Sequence, residues 1–522
     1  MKFSHMNYER PDAELLKEHL KSLTERMAAA ASYEEAREVF LEMEKLTSEV
    51  MTVMQIASIR HTIDTRDEFY DAEQKWWDNT MPEMQVYLQS YKMALLGSPF
   101  REDFAKEYGE LMFVNAEMQL KTFSSEIVPL LQQENMEANA YEKLLASAQI
   151  PFEGKIYTLS QLTPFKTDAD DARRLEAWKA EGQWYMDNAE ALDEHYDKLT
   201  KLRDEMGRKL GYGGFTTLGY YRMTRNCYDK NDVERFRKAV REYIVPIADR
   251  SYREQAERLG VEYPLSYADA ALSFRSGNPR PVGTPDEIVQ QALDFYEDLS
   301  PETGEFFKTM IDNELLDLLS TEGKASGGYC TSLPEYKCPF IFANFNGTQG
   351  DIEVVTHEAG HAFQGWMNRN RVPLEYQWAT LEACEVHSMS MEFFAWNWAD
   401  VFFGEDSDKF RYSHLAGALQ FIPYGTMVDH FQHEVYAHPK MTPAERHDCW
   451  RSLQGIYTPW LRLDGEIPFY SEGRAWQRQH HIYSMPFYDI DYCLAQAVAL
   501  QFWAMIQKDR DAAWEKYMAY TI

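Results

Sequence analysis

Apolar and polar residues follow a helical period along most of the first 150 residues of the chain. In AELLKEHLKSLTERMAAA (13–30) and YEEAREVFLEMEKLTSEV (33–50), apolar positions recur at steps of three and four. This spacing places them on one face of an α-helix and leaves the charged residues on the other. The pattern therefore predicts stacked helices from Ala13 to about Gln149.

Two segments depart from the helical pattern. FEGKIYTLSQL (152–162) contains a glycine among β-forming residues and predicts a small β-ribbon. The aromatic-rich segment Pro339–Asn346 is bounded by glycine and proline signals and predicts a strand. As an edge strand it would hold an extended peptide by main-chain hydrogen bonds, whereas the alternative is a strand covered by helices.

Composition narrows the class of protein. Of the 522 residues 14% are aromatic, which is typical of a globular chain, and the net charge of −31 would repel nucleic acid and anionic membranes. The N-terminal residues are polar, and the apolar run CLAQAVALQFWAMI (493–506) is interrupted by glutamines, so neither a secretion signal nor a membrane span is predicted. Six scattered cysteines without a CxxC pair are typical of reduced thiols. We therefore expect a cytoplasmic protein, of an oligomeric state that the sequence does not indicate.

The segment EVVTHEAGHAFQ (353–364) carries the clearest chemical pattern. His357 and His361 are four positions apart, so on a helix both imidazoles project from one face and can bind the same zinc ion. Glu358 lies about 100° further round the helix, where it can reach a water molecule on the metal without binding the metal itself. The motif therefore predicts a zinc site with its own general base.

A catalytic zinc site needs a third protein ligand. The segment WATLEACEVHSMSMEFFAWNW (378–398) offers Glu382, Glu385, His387 and Glu392. The three glutamates lie close to one helical face, so periodicity alone does not choose among them. His387 is two residues from Glu385 and points elsewhere.

Three ordered blocks resemble the thimet oligopeptidase and oligoendopeptidase F family of gluzincin peptidases. HEAGH is followed by EVHSMSME (385–392), in which Glu385, Ser388 and Glu392 fill the family pattern E-x-x-S-x-x-x-E. The resemblance implies that Glu385 is the third zinc ligand and that Glu392 supports the site.

The third block is QHHIYSMPFYDIDY (479–492), which resembles the family's H-I-F-x-x-P-F-Y-Y-I-x-Y signature. His481, Tyr488 and Tyr492 occupy its histidine and tyrosine positions, which implies that one of them stabilises the oxyanion. Tyr483 and Asp489 depart from the signature, where phenylalanine and a second tyrosine are common.

The resemblance covers residues 327–503 strongly and the helical N-terminal half weakly. It implies a mainly α fold: a large, two-lobed helical ellipsoid with a deep substrate channel and a β-ribbon or edge strand beside the metal helix. We expect a helical lobe over residues 1–200 and a zinc peptidase domain over residues 201–522. The implied activity is hydrolysis of internal bonds in oligopeptides, with one zinc ion per chain.

Two other functions remain open from the sequence. A metallocarboxypeptidase of the carboxypeptidase Taq type would grip a C-terminal carboxylate, for which Arg474 and Arg478 are available. A non-catalytic peptide-binding protein with structural zinc is disfavoured, because such a site has no need of Glu358.

Other histidines are weaker candidates for metal binding. His430 and His433 do not repeat the motif, and we expect them on a polar helix face. Of the adjacent His480 and His481, at most one should face the channel.

Overall fold

The computed structural model describes all 522 residues, and its N-terminal part is helical as predicted. Side chains at the helix starts accept hydrogen bonds from the first-turn N–H groups, as Asp12, Ser32 and Asp67 do. The helices of this part are α1 (Ala13–Ala29), α2 (Tyr33–Ile63), α3 (Glu68–Leu96), α4 (Arg101–Tyr108), α5 (Leu111–Leu120) and α6 (Val128–Ala146).

The predicted ribbon is confirmed. Strands β1 (Ile150–Phe152) and β2 (Lys155–Tyr157) pair antiparallel. The two turn residues, Glu153 and Gly154, have φ angles of 49° and 78°. A two-residue hairpin favours positive φ at both positions, because this turn follows the right-handed twist of the strands.

Helices resume directly after the ribbon and continue to residue 312. Thr284 and Ser300 cap two of these helices, because their side chains accept hydrogen bonds from the N–H groups of Glu287 and Thr303. The helices are α7 (Leu159–Lys166), α8 (Asp171–Asp187), α9 (Ala189–Lys209), α10 (Phe215–Arg222), α11 (Lys230–Ala239), α12 (Val245–Leu259), α13 (Tyr267–Ala270), α14 (Pro285–Leu299) and α15 (Pro301–Asp312).

A three-stranded sheet precedes the metal-binding motif. It consists of β3 (Leu316–Leu319), β4 (Tyr329–Leu333) and β5 (Cys338–Phe345), in the order β3-β5-β4. The strand predicted at Pro339–Asn346 is therefore β5, but it is central and not an edge strand. It is paired on both sides and its residues are almost all buried, and the edge beside the metal helix belongs to β4.

The rest of the chain is helical and packs around this sheet. Its helices are α16 (Gly350–Asn368), α17 (Leu381–Phe394), α18 (Ala399–Phe403), α19 (Ser407–Ala437), α20 (Pro443–Tyr457), α21 (His480–Ser484), α22 (Asp489–Ile506) and α23 (Arg510–Thr521). None of the helices combines the length and the apolar character that a membrane crossing requires.

The hydrophobic core is divided into clusters. The largest surrounds β5 and α16 and includes Phe3 and Met6 from the start of the chain. A second cluster joins residues 123–268 to residues 422–493. The mainly α fold is confirmed, whereas the domain boundary at residue 200 stays a prediction.

Candidate metal centre and active site

The metal-binding motif lies on α16, whose apolar side is buried against the sheet. Val355, Ala359 and Phe363 are fully buried in the same cluster as β5. The opposite side carries His357 and His361, whose ring centroids are 5.0 Å apart. The predicted side-by-side placement of the two imidazoles follows from one turn of a helix held by its apolar face.

Gly360 allows α17 to approach α16 closely. A Cβ atom at this position would lie 2.6 Å from Ser388 Cα and 2.8 Å from the His387 carbonyl oxygen. Any side chain would therefore push the backbone of α17 away. The glycine inside HEAGH is what brings Glu385 up to the two histidines.

The three side chains that the sequence and the resemblance point to converge. Glu385 Oε2 is 3.2 Å from His357 Nε2 and 3.4 Å from His361 Nε2. Zinc–ligand bonds of about 2.0–2.1 Å at tetrahedral angles place neighbouring donor atoms about 3.3 Å apart. The donor set of two imidazole nitrogens and one carboxylate oxygen therefore fits one zinc ion, with a fourth position left for water or substrate.

Glu392 fixes the orientation of His357. Its Oε1 is 2.6 Å from His357 Nδ1, and its Oε2 is 2.7 Å from His414 Nε2. Trp396 Nε1 donates to His414 Nδ1 at 2.9 Å, so the proton of His414 is on Nε2 and is donated to Glu392. This series of hydrogen bonds keeps His357 Nε2 free for a metal. Carboxylates that support a metal-binding histidine usually act in this way.

His414 and Trp396 were missed by the sequence reasoning. His414 lies on α19 and is buried, and no motif surrounds it. Only its position in the fold identifies it, so the local sequence held no signal for it.

Glu385 itself receives two further hydrogen bonds. Ser388 Oγ donates to Oε2 at 2.9 Å, and the Tyr488 hydroxyl donates to Oε1. Tyr488, which the resemblance places near the oxyanion, thus contacts the carboxylate of the expected ligand in this structure. The neighbouring candidate Glu382 instead accepts from the Thr380 hydroxyl and lies outside the converging group.

Glu358 lies beside the start of β4. A Cβ atom on Gly328 would be 3.3 Å from Glu358 Oε1, so the strand passes directly over the carboxylate. Burial raises the pKa of Glu358 above its ordinary value. Glu358 and His357 both line a cavity of about 440 Å³. A carboxylate in this setting accepts a proton more readily than an exposed one.

The third sequence block places its aromatic side chains next to the metal ligands. The ring centroid of His481 is 4.8 Å from that of Tyr488 and 5.7 Å from that of Tyr492. Tyr492 in turn lies 6.5 Å from the ring of His357. Burial lowers the pKa of His481 to about 4, so the imidazole is neutral at neutral pH. The three expected catalytic side chains are thus brought together beside the expected ligands.

A buried ion pair holds this aromatic block in place. Arg225 Nη2 donates to the Phe487 carbonyl at 2.6 Å and lies 3.1 Å from Asp491 Oδ2. The Tyr228 hydroxyl also donates to Asp491. Phe487 has a φ of 73°, an unusual conformation for a phenylalanine, and it directly precedes Tyr488. No local sequence pattern indicates these contacts, because the partners are about 260 residues apart.

The other histidines do not converge on the site. His387 is buried against Tyr520 on the far side of α17. His430 and His433 bind different tyrosine hydroxyls, at 3.1 and 3.0 Å. His480 turns away from His481 and lies 3.1 Å from the Ser484 hydroxyl.

Family models and solved structures match this chain over most of its length. Residues 3–123 match the Peptidase M3 N-terminal domain, and residues 299–519 match Peptidase family M3. No curated protein matches the chain. Among solved structures, a proposed oligoendopeptidase F and Pz peptidase A with an inhibitor are each 47% identical, with a TM-score of 0.98 over 99% of this chain and 92% of theirs. A proposed oligoendopeptidase F from Bacillus anthracis is 44% identical, with a TM-score of 0.92 over 99% of this chain and 90% of its own.

Proposed function

Because the chain belongs to peptidase family M3 and is therefore a metallopeptidase, we propose that it is a zinc-dependent oligoendopeptidase. Its substrates would be short peptides, cut at internal bonds. The observation that carries the proposal is the convergence of His357, His361 and Glu385, with Glu358 beside them.

The three converging side chains would hold one zinc ion. The bound ion would supply Lewis acidity, which lowers the pKa of a water molecule to about 7 and polarises the scissile carbonyl. Glu392 and Ser388 would keep the ligands oriented, since each is hydrogen-bonded to one of them.

Glu358 would act as the general base and then as the general acid. Its carboxylate would accept the proton of the attacking water and pass it to the amine of the departing peptide. The raised pKa of Glu358 suits both directions of transfer, because it brings the carboxyl closer to neutral pH.

A hydrogen-bond donor near the scissile carbonyl would stabilise the negative charge that develops on its oxygen. The Tyr488 hydroxyl already donates to Glu385, an expected zinc ligand. The rings of Tyr492 and His481 stack on each other beside Tyr488 and are not hydrogen-bonded to an expected zinc ligand. We therefore favour Tyr492 or His481 for this role, which requires a donor fixed in position before the reaction.

The open edge of β4 would align the substrate. Ile341 of β5 donates to the Leu315 carbonyl on the β3 side, so Ile341 turns away from β4. Cys330 of β4 is the partner of Ile341, so the N–H and C=O groups of Cys330 point away from the sheet. Ser332 lies two residues further along β4 and points its N–H and C=O groups the same way. A peptide that pairs with this edge would pass over Glu358, which lies next to Gly328.

The arginines required by the carboxypeptidase alternative are already engaged. Arg474 pairs with Asp193 at 3.1 Å, and Arg478 donates to the Tyr470 hydroxyl at 3.0 Å. Arg474 is thus already paired with a carboxylate, which supports internal cleavage over recognition of a C-terminal carboxylate at this position.

Mass spectrometry of the products from one defined peptide tests the cleavage mode. Internal fragments are expected, whereas stepwise loss of C-terminal residues would favour the carboxypeptidase.

Metal analysis after dialysis tests the ligand set. Glu385→Ala should lose tight zinc binding, and Glu382→Ala, the matched control three residues earlier, should keep it. The opposite result would move the third ligand to Glu382.

A further inference from the structure

A second cavity, of about 400 Å³, lies at the far end of β4. It is enclosed by α2, α3 and α5 on one side and by the connection between α16 and α17 on the other. Most of its wall is apolar and includes Phe40, Met43, Leu88, Leu95 and Met112. Ser332 and Pro334 also line it, so the cavity lies at the C-terminal end of the strand whose start is beside Glu358.

One residue of the cavity wall, Trp378, packs against the metal helix. Trp378 packs on Gly365, where a Cβ atom would lie 2.9 Å from the indole ring. Gly365 is one helical turn beyond His361. Along β4, Gly328 and Ser332 are four residues apart, which corresponds to about 13 Å of extended chain.

The charged side chains of the cavity are two carboxylates and one ammonium group. Glu44 and Glu375 line it together with a single cation, Lys92, which donates to the Gln119 side chain. Glu44 accepts from the Leu374 N–H through Oε2 only, and burial raises the pKa of Glu375 to about 7. Tyr91 also lines it; this residue is only 3% exposed, and its hydroxyl has no hydrogen-bond partner. A buried polar group is rarely left unpaired unless a ligand or water completes it.

The direction of β4 decides which end of a peptide would reach the cavity. The strand runs from Glu358 towards the cavity. A peptide that pairs antiparallel to it runs the opposite way, from the cavity to Glu358. Its N-terminal end would therefore lie in the cavity and its scissile bond about four residues further along.

We propose that this cavity binds the N-terminal residue of an oligopeptide substrate, with its α-ammonium group facing Glu375 and Glu44 and its side chain against the apolar wall. The proposal rests on the proposed function and deepens it. The cavity would then fix the number of residues between the N-terminus of the substrate and the cleaved bond.

Matched peptides with a free or an acetylated N-terminus test this subsite. Acetylation removes the positive charge, so kcat/KM should fall about tenfold, mainly through a higher KM. In a series extended by one residue at a time at the N-terminus, the cleaved bond should move with the new N-terminus. Equal kcat/KM for both forms, or a cleaved bond that stays at the same side chains, would overturn the proposal.

Variants of the acidic residues provide the control. The double variant Glu44→Gln and Glu375→Gln should reduce cleavage of the free-amine peptide to the level of the acetylated one. Glu117→Gln should leave the preference intact, because Glu117 lies on α5 but pairs with Arg101 outside the cavity. A preference that survives in the double variant, or one that follows C-terminal amidation instead, would also overturn it. In those cases both peptides are still cut internally, whereas absence of internal cleavage would contradict the proposed function itself.

Discussion

The expected metal ligands and the aromatic block are built in different ways. Between α16 and α17 the histidines and Glu385 are placed by backbone packing, because Gly360 lets the two helices touch. The aromatic block on α21 and at the start of α22 depends on a buried ion pair, in which Arg225 and Asp491 are both 0% exposed at their side chains. Apolar helix packing is stable without partners, whereas a buried charge must keep its counterion.

This difference implies that metal binding and catalysis can be separated by mutation. A change within α16 or α17 should alter both, because the ligands stand on those helices. A change around Arg225 or at Tyr492 should reduce turnover and leave zinc bound.

The largest effect on turnover with zinc retained is expected from Glu358→Gln. The amide is close in size to the carboxylate but cannot accept the proton, so kcat should fall by about 10³-fold. Zinc content after dialysis should remain near one per chain. Glu382→Gln is the control and should keep full turnover. Undiminished activity in Glu358→Gln would remove this residue from the mechanism.

The second prediction separates the two tyrosines. Tyr492→Phe should lower kcat by about 10²-fold on a fluorogenic oligopeptide, with little change in KM or zinc content, as loss of one oxyanion donor does. Tyr488→Phe should instead weaken zinc binding, because its hydroxyl is bound to Glu385. If both variants and His481→Ala retain full kcat, the aromatic block serves only as scaffold.

The third prediction breaks the packing of the metal centre. Gly360→Ala would place a methyl group 2.6 Å from the α17 backbone, so α17 must shift and carry Glu385 with it. We expect zinc affinity to fall by about 10- to 100-fold and stability by about 1–3 kcal/mol.

The control for this variant is Gly455→Ala. Gly455 lies within α20, and a Cβ atom there would have nothing within 4 Å. The change should stabilise the protein by about 0.5–1 kcal/mol, because alanine favours helix more than glycine does. Unchanged zinc affinity in Gly360→Ala would mean that α17 is not held by this contact.

The difference between local helix geometry and long-range contacts also explains which site residues could be predicted from the sequence. His357, His361 and Glu358 follow from a helical period of 3.6 residues, which local sequence expresses directly. The choice of Glu385 over Glu382 came from a resemblance, because both stand on nearly the same face of α17. His414 and Arg225 could not be found, since each reaches the site through tertiary contacts that leave no local pattern.

The fold shows a similar limit. Helices and the β1–β2 ribbon were predictable from period and turn residues. The central position of β5 in its sheet was not predictable. Strand order depends on β3 and β4, whose sequences show only a weak alternation of apolar and polar residues.

The smallest effect on turnover is expected from Arg225→Met. The methionine would fill much of the space but leave Asp491 and the Phe487 carbonyl without their partner. Breaking a buried pair in this way costs about 3–5 kcal/mol of stability, seen as a lower Tm. With the turn before Tyr488 loosened, kcat should fall about tenfold while zinc content stays at one per chain.

Arg235→Met is the control, because Arg235 lies on the surface with its side chain 72% exposed, and its loss should change neither property. Loss of zinc in Arg225→Met would contradict the separation of the two regions, because it would show that the ion pair supports the metal ligands as well as the aromatic block.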